Sequence, residues 1–348
     1  MKRKQFLALV PLAVLSVLVG CKPADNASDT TTVPVNTATK DGKLRIVYIP
    51  KNTGNPYFDG IVEGFKKGAT ELGVEFATTA PAQPDPTAQI SFIKDEIQRG
   101  ADVICITPNS VDALNGVFDE ARAKGVKIVT VNADITGNES HRDACVLPTD
   151  FDTLGASQIE LLGSLINYSG KFAILSATTD APDQNYWIKG MEEALNQPKY
   201  QKMQLVGIVY GDDKDQKSVT EAEGLLTKYP DLRAILSPTS VGVAAAAKVV
   251  ESRNVADKVT VVGLGTPNTM RRYLKDGIVP AVALWSPPDQ GYLAAHVAVA
   301  LAKGELKTET GTEFTAGTLA KKTVGKNGVI ITGSPVIFKK DNVDQFQF

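Results

Sequence analysis

The residues best able to do chemistry stand in short polar breaks that follow apolar runs. Lys51 and Asn55 lie in Pro50-Lys51-Asn52-Thr53-Gly54-Asn55, directly after the run 44–49, and Tyr57 and Phe58 come next. Asn109 follows the run 103–106, Asp134 follows 127–131, Asp183 and Gln184 follow 171–175, and Ser240 follows 234–236. A carboxylate accepts hydroxyl hydrogens in charge-assisted bonds, a lysine donates, and a glutamine does both. Tyr57 and Phe58 add flat apolar plates. The set suits a polar ligand with one apolar face, such as a sugar. The plainer alternative makes Phe58 core, Tyr57 a wall and Lys51 a solvated charge.

Other chemistries find little to work with. The chain has only two histidines, His141 and His296, which disfavours a Ser-His-Asp triad or a histidine-rich metal site. There is no G-x-x-x-x-G-K-[ST], no G-x-G-x-x-G after the first strand and no G-x-S-x-G elbow, so neither a catalytic set, a metal nor a cofactor is expected. The acidic stretch 211–215 lacks the full ligand pattern of a calcium loop and reads as a solvated turn. The formal charge is −2, without a basic block, which leaves no electrostatic case for nucleic acid. Cys105 and Cys145 sit in apolar runs and read as free buried thiols, although a bridge between them stays open.

These breaks are placed by alternating elements. In the first unit, Asn55 is suited to cap a helix and Pro56 to its first position, and Phe58, Ile61, Phe65, Ala69 and Leu72 make one apolar face. Strand then alternates with helix: strands near 74–77, 103–106, 127–131 and 144–147, with helices at 88–99 and 111–124. The pattern restarts with a helix at 153–167, then strands at 171–175, 204–209, 234–236, 259–262 and 279–285. Helices at 186–195, 218–228, 241–253, 270–276 and 290–303 separate or follow them, and a short strand lies near 329–332. Two similar halves predict an α/β chain of two doubly wound, Rossmann-like domains, with polar strand ends facing each other across a closing interdomain cleft. At 348 residues each half can bury its own core.

The amino end reads as an address. Lys2-Arg3-Lys4 precedes an apolar run from Phe6 to Val19, so residues 1–20 fit a secretory signal whose run is too short to span a bilayer comfortably. Its loss would take the charge from −2 to −5, because those three cations leave with it. Leu18-Val19-Gly20-Cys21 resembles the lipobox of bacterial lipoproteins, which implies acylation of Cys21 and a membrane anchor. Residues 21–42, poor in apolar side chains, then form a flexible tether.

Several strings resemble type 1 periplasmic binding proteins, the solute receptors of bacterial ABC transporters, in the rhamnose-binding and autoinducer-2-binding branch. They are IPKNTGNPYFDG at 49–60, GDDKDQKS at 211–218, SPTSVGVAAAAK at 237–248, GLGTPNTMR at 263–271, ALWSPPDQGYLAA at 283–295 and FTAG at 314–317. The resemblance implies domains at 43–148 plus 288–322 and at 149–287 plus 323–348, joined by a hinge of three strands and closing on a sugar. It implies ligand-binding roles for Lys51, Asp134, Asp183 and Gln184, with Pro238-Thr239-Ser240 where the autoinducer-2 receptors have Pro-x-Ala. Leu264 and Trp285 stand where ribose-type receptors keep polar residues. An apolar rim there suits a methyl group, as in a 6-deoxyhexose or the autoinducer, and plain packing is the alternative. The expectation is a monomeric, lipid-anchored receptor of the periplasm or cell envelope that delivers rhamnose to a permease. Autoinducer-2 is the second ligand, and a secreted carbohydrate-active enzyme is a weaker reading.

Overall fold

The computed structural model describes residues 42–348. The signal segment 1–20, Cys21 and all but the last residue of the tether lie outside the described residues. Among the described residues no helix is long and apolar enough to cross a membrane.

The first unit forms as its residue types require. β1 (Arg45–Ile49) is buried throughout. α1 (Pro56–Leu72) starts where Asn55 accepts from the Tyr57 amide and stops at Gly73, whose φ of 67° lies in the left-handed region that glycine enters without a steric penalty. β2 (Glu75–Thr78), α2 (Pro86–Gln98), β3 (Val103–Ile106), α3 (Asn115–Ala123), β4 (Lys127–Val131) and β5 (Ala144–Leu147) follow. α3 begins four residues later than the apolar pattern predicts, because the Ser110 hydroxyl accepts from the amides of Asp112 and Ala113 and holds a turn there.

The second half repeats the design with α4 (Phe151–Leu165), β6 (Gly170–Ser176), α5 (Pro182–Leu195), β7 (Met203–Tyr210), α6 (Asp215–Lys228), β8 (Leu232–Ser237), α7 (Ser240–Ser252), β9 (Thr260–Gly263) and α8 (Pro267–Lys275). β10 (Val282–Leu284), α9 (Pro287–Ala302), β11 (Glu313–Phe314), β12 (Lys322–Thr323), β13 (Val329–Ile331) and β14 (Val336–Phe338) complete the order.

Two parallel sheets result. The larger runs β13-β5-β4-β3-β1-β2 and the smaller β7-β6-β8-β9. Each reverses its strand order beside its first strand, between β1 and β3 and between β6 and β8. Such reversals open a crevice at the carboxyl ends of the strands. This is the doubly wound, bilobed α/β architecture expected from the alternation. β10 pairs antiparallel with β14, and Ala283 bridges to Leu264 just past β9, which ties the carboxyl-terminal strands to the second lobe.

The chain crosses between lobes after β5, after β10 and after β13. The return segment is expected to end at 322, yet the ladder keeps the chain in the first sheet as far as Ile331, paired with Leu147. β11 to β13 are only two or three residues long, too short for a period to identify their sheet. Thr332 and Gly333 then donate backbone bonds to Leu147 and Pro148, so the third crossing runs beside the first. α9 packs on α1 through glycines: a Cβ on Gly291 would stand 1.9 Å from the Ile61 carbonyl oxygen, and one on Gly64 2.0 Å from that of Pro288. Cys105 and Cys145 are both buried and free.

Candidate functional site

A cavity lies where the carboxyl ends of both sheets meet. From the first lobe, the loop after β1 supplies Lys51, the start of α1 supplies Asn55, Tyr57 and Phe58, and the turn after β4 supplies Asn132. From the second, the first turns of α5 supply Asp183, Gln184 and Trp187, and the turn after β7 supplies Asp213. Pro238, Thr239 and Ser240 follow β8, Leu264 follows β9, and Leu284 and Trp285 close the ring at β10.

The polar wall joins the lobes directly. Lys51 Nζ donates to Asp183 Oδ1 and, at 3.0 Å, to Gln184 Oε1. Asn132 Nδ2 donates to Asp183 Oδ2 at 3.1 Å. Both lysine and aspartate are buried, at 2% and 1% side-chain exposure, so their charges are worth keeping together. Asp183 also stands in the first turn of α5, where a negative charge meets the positive end of the helix dipole. Tyr57 Oη donates to Asn132 Oδ1, has Gln290 Oε1 at 3.0 Å, and accepts from the Trp285 indole at 2.7 Å. Burial pushes its phenol well above the usual tyrosine range, despite the Trp285 donor, so Tyr57 stays neutral.

The apolar wall is built from Phe58, Trp187, Leu264, Leu284 and Trp285. The Trp187 and Trp285 rings meet edge to face at 5.8 Å, and Tyr57 stands at 88° to Trp285. The space between the walls is about 30 Å³. Small-molecule sites run to roughly 300–1,000 Å³, so this is a closed cleft in which side chains meet one another.

Ten of the twelve residues expected at the site line this cavity: Lys51, Asn55, Tyr57, Phe58, Asp183, Gln184, Pro238, Ser240, Leu264 and Trp285. Asn109 stands behind it. Its Nδ2 donates to the Lys51 carbonyl at 3.0 Å, and its amide is held by Gln89 Oε1 at 2.9 Å. Asp134 is elsewhere. Arg142 Nε and Nη2 bind its carboxylate at 2.6 and 2.5 Å, and Thr130 and the Ile135 amide add two more bonds. Arg142 Nη1 also donates to the Asn327 carbonyl at 2.7 Å, so the pair fastens the β4–β5 connection to the carboxyl-terminal segment.

Asn132 reaches the cavity in its place, because it adopts φ 69° and the chain turns away immediately afterwards. Asp213 also corrects an expectation. The turn at 211–215 is not wholly solvated: Asp212 pairs with Lys217 outside, while Asp213 is buried and accepts from the Thr239 hydroxyl. The sequence places Trp187 only within the helix 186–195 and gives Thr239 no role beyond its place in Pro238-Thr239-Ser240.

Among the described residues no cluster of His, Cys, Asp and Glu could hold a metal. What the cavity offers is hydrogen bonding on one side and aromatic surface on the other.

The family of periplasmic binding protein domains matches residues 46–306. Among solved structures, a sugar ABC transporter protein of Actinomyces odontolyticus is 41% identical with a TM-score of 0.71, covering 88% of this chain and 98% of its own. A solute-binding protein of Clostridium phytofermentas with bound L-rhamnose is 31% identical with a TM-score of 0.83, covering 89% and 98%. The ribose import binding protein of Bacillus subtilis is 24% identical over 256 residues, or 74% of this chain and 81% of that protein. The chain therefore belongs to the periplasmic binding protein family: a bilobed, non-catalytic binding protein of the extracytoplasmic space.

Proposed function

We propose that the cavity binds a 6-deoxyhexose, with L-rhamnose as the leading ligand, for delivery to the permease of an ABC transporter. The observation that carries this reading is the opposition of the two walls. Lys51, Asp183 and Gln184 offer a donor, a charged acceptor and an amide to ring hydroxyls. Phe58, Leu264 and Trp285 face them with carbon surface that suits a methyl group and a sugar face. A similar protein that carries L-rhamnose supports the choice. Autoinducer-2 is the second reading, favoured by the same Lys-Asp-Gln set, with Ser240 in place of the alanine of those receptors. Lipid anchoring at Cys21, a monomeric state and lobe limits near Leu147, Ser286 and Ile331 belong to the same proposal.

A ligand enters by exchange. Asp183 is occupied by Lys51 and Asn132 of the opposite lobe, so the lobes must part and these bonds be replaced by bonds to hydroxyls. Charge-assisted bonds are worth about 1.5–3 kcal/mol, so Asp183→Ala should weaken sugar binding roughly tenfold to over a hundredfold. Calorimetry with L-rhamnose and autoinducer-2 on wild type and variant tests this. A wild type that binds autoinducer-2 tightly and rhamnose not at all reverses the ligand order. Equal affinity in wild type and variant removes Asp183 from the site.

A further inference from the structure

The Gly211-Asp212-Asp213 turn carries two adjacent aspartates with opposite fates. Both adopt positive φ, 53° and 50°, a conformation rare outside glycine and tolerated best by Asn and Asp. The turn is pinned to β6: the Gly211 and Asp212 amides donate to the carbonyls of Ser176 and Ala177, each at 2.9 Å. Asp212 then pairs with Lys217 outside. Asp213 is only 9% exposed and lines the cavity. Its Oδ1 accepts from the Thr239 hydroxyl, the one hydrogen bond found at this carboxylate among the described residues.

A half-satisfied buried carboxylate is expensive to keep. Desolvation raises the Asp213 carboxyl above the usual range. Lys51 and the Thr239 bond oppose the rise, and the charges of Asp183 and Asp212 add to it. Lys51 is already committed to Asp183 and Gln184 and does not bond Asp213. A second lining residue is also incompletely matched: the buried Trp187 indole N–H has no hydrogen-bond partner among the described residues. A carboxylate with a single hydrogen bond on the cavity lining, and a buried indole N–H in the same wall, are groups that a hydroxylated ligand can complete once the lobes part, since each hydroxyl both donates and accepts.

We infer that Asp213, positioned by Thr239, is a further ligand-binding residue that accepts a hydroxyl hydrogen of the bound sugar. The inference rests on the sugar-binding reading above and adds a second carboxylate to it, from a different strand end than Asp183.

The test is Asp213→Asn, close to isosteric and still able to accept from Thr239. Affinities are measured by calorimetry on wild type, D213N and Thr239→Val with L-rhamnose, D-ribose, D-arabinose and autoinducer-2, then with monodeoxy analogues of whichever binds. The expected result is a loss of about tenfold or more in D213N and a smaller loss in T239V. The melting temperature of ligand-free D213N at neutral pH should be unchanged or higher, since a costly buried charge has gone. One monodeoxy analogue should lose affinity for the wild type yet bind D213N no worse than the parent sugar does.

Unchanged affinity in D213N overturns the inference while leaving the sugar-binding reading intact. Weaker binding accompanied by a lower melting temperature, with every analogue affected alike, also overturns it, because Asp213 would then be structural. A wild type that binds none of the four ligands fails the sugar-binding reading itself, and the inference falls with it.

Discussion

Two neighbouring side chains can share a loop and have unrelated work. Asn132 and Asp134 both follow β4, yet the left-handed turn at Asn132 sends one amide to Asp183 and leaves the other carboxylate to Arg142. Arg142 is 1% exposed at its side chain and depends on Asp134 for its counter-charge. Removing one partner of such a pair strands a buried charge and typically costs about 3–5 kcal/mol. Asp134→Ala should therefore lower the unfolding free energy by that order, read from denaturant melts, while sugar affinity measured on the folded fraction stays within about twofold. A large selective loss of affinity at unchanged stability would return Asp134 to the ligand set. Asp213 teaches the converse: flanked by Asp212, Lys214 and Asp215, it has the local sequence of a surface turn and the burial of a core residue.

At the scale of elements, several helices start at side-chain caps and the α1–α9 pair is fixed by glycines. Asn55, Asp85, Asp150 and Ser286 each accept from an amide two or three residues on, and Pro56, Pro86 and Pro287 stand at first-turn positions. The α1–α9 contact has no room for a methyl group at Gly291, whereas Gly224 on α6 is exposed, with open space where a Cβ would stand. The two substitutions should act in opposite directions. Gly291→Ala forces the helices apart and should cost about 1–3 kcal/mol. Gly224→Ala removes backbone freedom from the unfolded chain and should stabilise by roughly 0.5–1 kcal/mol. Thermal melts of both variants check the pair. Similar shifts in both would mean that the helix contact yields more easily than its distances imply.

At the scale of the molecule, three chain crossings join two sheets whose strand ends face one cavity. The lobes hold each other there through Lys51, Asn132, Asp183 and Gln184. Anchoring is the property proposed for the remainder of the chain. Cys21→Ser should move the protein from the membrane to the soluble fraction and abolish its acyl mass. A variant that stays membrane-bound beside an unacylated wild type would sink the lipoprotein reading. The sequence by itself determined the α/β class, the two halves, the capped first unit and most of the cavity wall. Those features rest on short-range rules (apolar period, proline and glycine placement, and the tendency of strand-end loops to face a ligand), except that Pro238, Leu264 and Trp285 were expected in the wall only through the family resemblance. Only the tertiary structure decided that Asp134 serves Arg142, that Asn132, Trp187 and Asp213 face the cavity, and that β13 stays with the first sheet. Each of those outcomes depends on partners far along the chain, such as Asn327 for Arg142, Thr239 for Asp213 and Leu147 for Ile331. Periodicity describes which face of an element is apolar; it carries no record of what is packed against it.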